Sequence, residues 1–144
     1  MKKYFAFLFL CFSIYSNANV KLPLLFNDGM VLQRNKSIPV WGWATVNEKI
    51  EIHFNKQIVK TKADKNGKWT VNLKAEKAGG PFELVVKGKN TITLKNVLVG
   101  EVWICSGQSN MEFTVKQAMN AEQEINNADF QLIRQFLVEK DMSS

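Results

Sequence analysis

Val97-Leu98-Val99-Gly100-Glu101-Val102-Trp103-Ile104-Cys105 is nearly continuously apolar, and Ser106-Gly107-Gln108-Ser109-Asn110 follows it with small and polar residues. Alternation of apolar and polar residues, evident upstream, stops here. A strand buried on both faces reads this way, as in a parallel α/β sheet. Beyond the loop, Val115, Ala118, Met119, Glu122 and Ile125 fall at helical spacing. This predicts a helix over about 115–126, with a small apolar face at 115, 118, 119 and 125. Asn126-Asn127 ends it, and Leu132-Ile133-Arg134-Gln135-Phe136-Leu137-Val138 reads as a second strand. The order β, loop, α, β is the opening unit of a doubly wound domain, with ligands expected at the carboxyl end of its first strand.

Working back from Asn96, the chain reads as short β runs parted by turn residues. Asn27-Asp28-Gly29 is a turn before Met30-Val31-Leu32-Gln33. Ile38 to Ala44 is a second run, with Pro39 placing it at an edge or a strand start. Lys49 to Phe54 alternates strictly, with Ile50, Ile52 and Phe54 on one face and His53 on the other. Gln57 to Lys62 alternates more weakly. Asp64-Lys65-Asn66-Gly67 is a hairpin turn leading into Lys68 to Lys74, where Trp69, Val71 and Leu73 face one way. Gly79-Gly80-Pro81 breaks the chain, and Phe82–Val86 and Thr91–Leu94 complete the set. Seven or eight strands, with turns every 8–12 residues, predict an antiparallel β-sandwich. Trp41 and Trp43 share one face and are expected in the core, as is Trp69. An exposed pair would instead make a sugar-stacking platform.

At the other end, Lys2-Lys3, an uncharged run over 4–12, and Ser16-Asn17-Ala18 have the three-part layout of a secretory signal. The apolar run is too short for a membrane span, which needs ~20 residues. A lipoprotein anchor on Cys11 is disfavoured by the bulky Leu10 before it. The expected organisation is a signal peptide over 1–18, a β-sandwich domain over 19–96, and the start of an α/β domain over 97–144. Cleavage near Ala18 implies export to a periplasm or the extracellular space, with no membrane association afterwards. It also lowers the formal net charge from +6 to +4, because Lys2 and Lys3 leave. The remaining lysines are dispersed without stacking aromatics, so nucleic-acid binding is not expected. One histidine and two cysteines exclude a His cluster, a Cys₂His₂ zinc site or a disulfide framework within the 144 residues.

The loop is where chemistry is expected. A serine just past a buried strand, with Gly107 permitting a sharp turn, can project its hydroxyl above the sheet edge. Following backbone N–H groups can then stabilise a developing oxyanion. Ser106 and Ser109 both qualify. The nucleophile-elbow pattern Gly-x-Ser-x-Gly is half matched, since Met111 stands at its last position. The bland alternative is a polar βα turn in which Ser or Asn caps the helix.

Gly100-Glu101-Val102-Trp103-Ile104-Cys105-Ser106-Gly107-Gln108-Ser109-Asn110-Met111-Glu112-Phe113 resembles the first block of the sialate O-acetylesterases, a branch of the SGNH hydrolases. Met30-Val31-Leu32-Gln33-Arg34 and Pro39-Val40-Trp41-Gly42-Trp43-Ala44 resemble that family's N-terminal β domain. The resemblance runs from about Leu22 to Val138. It implies a β-sandwich followed by the incomplete β-α-β start of an α/β/α SGNH hydrolase domain. The implied protein is a secreted carbohydrate esterase that removes O-acetyl groups, typically from sialic acids, through a serine acyl-enzyme. Ser109 then lies at the nucleophile position and lends its N–H to the oxyanion hole, with Gln108 and Asn110 supporting. The implied substrate is an O-acetylated carbohydrate, and no metal or organic cofactor is implied. Glu101 and Glu112 belong to the block without catalytic work assigned to them.

The departure lies in the partners. The family's general base is a His with an Asp three residues before it, far downstream, and further oxyanion donors come from intermediate blocks. Here the single histidine is His53, with Ile50 three residues before it. The expectation is therefore the front of a longer enzyme, truncated, with negligible turnover by itself and prone to aggregate after about residue 97. A stand-alone carbohydrate-binding sandwich and a degenerate non-catalytic remnant are the alternatives. The particular acetylated sugar and the oligomeric state are not legible.

Overall fold

The computed structural model describes residues 19–138, so the expected signal over 1–18 lies outside the described residues. Seven strands account for most of the structure up to Gly100: β1 (Val31–Gln33), β2 (Ile38–Trp43), β3 (Lys49–Phe54), β4 (Gln57–Lys62), β5 (Lys68–Leu73), β6 (Gly79–Lys87) and β7 (Thr91–Gly100). They form a curled five-stranded sheet, in the order β1-β7-β6-β3-β4, and a two-stranded sheet, β2-β5. Alternation decides which face each strand buries. Ile50, Ile52 and Phe54 on β3, Leu84 and Val86 on β6, and Val97 and Val99 on β7 point inward from the large sheet. Ile38 and Val40 on β2 and Trp69, Val71 and Leu73 on β5 join the same cluster from the small one. Each such side chain contributes roughly 1.5–3 kcal/mol on leaving water. Phe54 and Phe82 meet edge to face with ring centroids 5.5 Å apart.

Several sequence expectations need correction. The large sheet is mixed rather than antiparallel, because β1 pairs parallel with the end of β7, Val31 opposite Leu98 and Gln33 opposite Gly100. A parallel pair needs a long crossover, and here the intervening strands supply it. Gly79-Gly80-Pro81 lies inside β6 rather than breaking the chain. Gly80, at φ +127°, sits where a Cβ would come within 2.8 Å of the Val97 carbonyl oxygen. The Asp64–Gly67 turn carries the chain from one sheet to the other instead of closing a hairpin, since β4 pairs with β3 and β5 with β2. Asp64 Oδ1 holds that turn by accepting from the N–H groups of Asn66 and Lys68, at 2.8 and 2.9 Å.

The two tryptophans of β2 lie on the strand's other face, where Trp41 still packs against the core cluster and Trp43 does not. Val40 and Gly42 take the inward positions, Trp41 is partly buried edge-on against Phe26, and Trp43 is 43% exposed. Gly42 is required there: a Cβ would lie 2.2 Å from the Lys21 carbonyl oxygen and 2.9 Å from the Trp69 ring.

The loss of alternation near Asn96 has a local cause. Leu94 pairs with Leu84 and Val97 with Phe82, so three steps on β7 oppose two on β6. That is a bulge, with Asn96 at φ 56°. It resets the parity, so Leu94 and Val97 both face inward. The strand then continues to Gly100 and stops. Residues 101–105 are exposed and lie in no strand, contrary to a buried run extending to Cys105. The helix expected over 115–126 is divided into a 3-10 turn, Val115–Gln117, and the seven-residue α1, Ala121–Asn127. Short helices need tertiary packing, and Val115, Met119 and Ile125 are all exposed. Leu132–Val138 has no strand partner and is not a strand.

Candidate functional site

The segment carrying Ser109 starts where β7 leaves the sheet. β1 ends beside it, and its last residue Gln33 and the following Arg34 hold the departing chain. The Arg34 N–H donates to the Gly100 carbonyl oxygen at 2.9 Å. The Val102 N–H donates to Gln33 Oε1 at 2.9 Å. Gln33 Nε2–H donates to Glu101 Oε2 at 2.9 Å, and Arg34 Nε–H donates to Glu101 Oε1 at 2.6 Å. The hydrogen bonds from Gln33 and then Arg34, with the nearby charges of Arg34 and Lys36, outweigh a small desolvation cost. They hold the Glu101 carboxyl below its ordinary range.

Trp103 to Gln108 then run without a strand partner. Ser109–Met111 form a 3-10 turn, closed by the Met111 N–H donating to the Gln108 carbonyl at 2.8 Å and the Glu112 N–H to the Ser109 carbonyl at 3.0 Å. Met111 folds back over Gly107, where a Cβ would lie 2.6 Å from its Cγ and would displace that half-exposed side chain. Gln108 and Ser109 are exposed, as are Cys105 and Ser106. The turn therefore places Gln108 and Ser109 together on an open face. As the opening of a helical turn, the Ser109 and Asn110 N–H groups precede the first intrahelical acceptors.

Other residues sort away from this turn. His53 sits on β3 with its ring Nε2 against Glu51, whose other oxygen accepts from Lys60 at 3.0 Å. Further along, Arg134 reaches back to the sheet. Its Nη1–H donates to the Gly29 carbonyl at 3.2 Å and its Nη2–H to Asn96 Oδ1 at 3.3 Å. Sequence reasoning missed Gln33 and Arg34 as supports of the Ser109 segment, and Arg134 as a tie back to the sheet. The contacts span 38 to 105 positions, and no local periodicity marks them.

No family model matches the chain. Among curated proteins, it is similar to the sialate O-acetylesterase of Homo sapiens, 36% identical over 122 residues, covering 75% of this chain and 23% of that protein. The Mus musculus sialate O-acetylesterase is 37% identical over 123 residues, covering 76% and 23%. Among solved structures, a carbohydrate acetylesterase from Xanthomonas citri superposes with a TM-score of 0.75 at 42% identity, covering 78% of this chain and 26% of that one. The chain thus spans about a quarter of the length of the relatives it matches. Over the aligned residues it corresponds to the N-terminal portion of the sialate O-acetylesterase family.

Proposed function

We propose that the chain carries the nucleophile-bearing front of an exported carbohydrate esterase. In this reading the two sheets are the family's β-sandwich, and residues 101–138 open an SGNH-type hydrolase domain. The observation that carries it is Ser109, exposed at the first position of a helical turn that follows the last strand, in a chain related to carbohydrate acetylesterases. Ser109 Oγ attacks the acetyl carbonyl carbon of an O-acetylated sugar while its proton passes to a base. The carbonyl oxygen becomes an oxyanion that the Ser109 and Asn110 N–H groups can meet. The C–O bond to the sugar then breaks, and the sugar oxygen takes the proton. Water repeats the sequence on the acetyl-serine and releases acetate.

In this reading the base comes from other polypeptide. His53 is committed to Glu51 on β3 and has no aspartate at the required spacing. The exposed apolar side chains of residues 101–138 support the same view, since they suit a segment completed by neighbouring strands and helices. Export after cleavage near Ala18 belongs to this proposal. The test is acetate release from an O-acetylated sugar by the chain alone and by the chain continued with the remaining sequence of the human relative. The chain alone is expected to show negligible turnover. The continued polypeptide is expected to turn over, and Ser109→Ala to lower its rate by about 10³-fold or more. Unchanged turnover in Ser109→Ala overturns the reading.

A further inference from the structure

Glu101 has no part in the acetyl-transfer steps, yet it is among the most heavily engaged side chains near the segment's origin. Both carboxylate oxygens accept hydrogen bonds from consecutive residues at the end of β1, and the next amide, that of Val102, is held by the same Gln33. The Arg34 N–H closes the group on the Gly100 carbonyl. Four hydrogen bonds therefore converge on three consecutive residues, 100 to 102, at the point where sheet pairing ends. The Arg34 and Glu101 side chains are about half exposed, at 44% and 48%. An exposed ion pair adds only ~0–1 kcal/mol to stability. What the group supplies is direction: a planar amide and a guanidinium fix the carboxylate, and through it the backbone exit vector.

We propose that Gln33, Arg34 and Glu101 are positioning residues, a clamp by which the end of β1 sets the course of the Ser109 segment as it leaves β7. The benefit of that course to catalysis rests on the esterase reading above. The clamp itself does not.

A nitroxide on Cys105, in a Cys11→Ser background so that one thiol remains, reports motion midway between Glu101 and Ser109. Glu101→Ala and Arg34→Ala are each expected to narrow its spectrum, and the double variant to narrow it no further than the larger single effect. Glu101→Gln, which keeps the shape but loses one acceptor, is expected to fall between. The urea midpoint is expected to stay unchanged in all four, which separates lost direction from lost stability. A spectrum unmoved by either single variant, or two independent additive effects, overturns the clamp. In the unaltered chain the Val102 amide is expected to exchange with deuterium about five- to tenfold more slowly than that of Ile104. Equal protection also overturns it. Ser109→Ala leaves both readouts unchanged, so failure of the clamp and failure of the esterase reading are distinguished.

Discussion

Residues 20–100 and residues 101–138 are both rich in apolar side chains, and they use them in opposite ways. Among the described residues, all nineteen buried apolar ones lie between Val20 and Val99. Fourteen of the nineteen exposed large ones lie between Val102 and Val138, among them Trp103 at 83% and Leu137 at 84%. The difference is one of partners rather than composition. In the first region each strand finds a neighbour, so one alternating face is covered and the backbone is paired. In the second, the helical pattern at 115–126 and the apolar run at 132–138 have no layer to close on. An amphipathic pattern therefore specifies an element only together with the surface that buries its apolar face. Polar ties from Glu101 and the Val102 amide to the end of β1, and from Arg134 to Gly29 and Asn96, hold the second region to the first.

The comparison can be broken most readily in the core. Phe54, 1% exposed, is expected to cost about 3–5 kcal/mol on replacement by alanine, read as a lower urea midpoint by tryptophan fluorescence. Leu137→Ala is expected to stay within about 0.5 kcal/mol of the parent. Similar losses at both positions would mean that the second region shares the core's cooperativity. Gly42→Ala tests the close approach of Lys21 and Trp69 to β2, and thermal unfolding is expected to show a loss of about 1–3 kcal/mol.

A subtler contrast is electrostatic. Burial pushes the Glu48 carboxyl up, but the Lys89 and Thr45 N–H groups, at 2.7 and 3.0 Å, with the Thr45 hydroxyl and the Lys89 charge, outweigh it and leave it below the ordinary range. A carboxyl lowered in the folded state stabilises the fold while ionised. That contribution is full above the ordinary carboxylate range and is lost as pH falls through the lowered value. Acidification is therefore expected to lower the melting temperature of the β region, and Glu48→Gln to flatten that part of the profile. Glu101 obeys the same sign at the surface, facing Arg34 and Lys36. Acid is expected to loosen the exit of the Ser109 segment, seen as faster Val102 exchange after correction for the intrinsic rate.

Much of the β region was legible because its signal is local. Strict alternation marked β3 and β5, and the turn residues between runs delimited the strands. The misreadings concerned how strands pair. The parallel pairing of β1 with β7 joins residues 67 positions apart. The bulge at Asn96 imitates, in one dimension, a switch to a doubly buried strand. Parity placed Trp41 and Trp43 together but could not say which face the second sheet would cover. At the candidate site, spacing alone left Ser106 and Ser109 equal, and the resemblance singled out Ser109. Gln33, Arg34 and Glu101 lie in the two blocks that carry the resemblance, but their contact was not legible, because they meet only through sheet register.

Covalent trapping addresses the nucleophile itself. The chain continued with the human relative's remaining sequence would be treated with an organophosphonate ester and digested, and the modified peptide sequenced by mass spectrometry. The adduct is expected on Ser109 Oγ and absent from Ser106. An adduct on Ser106, or acetate release without any modifiable serine in 106–109, would contradict the account.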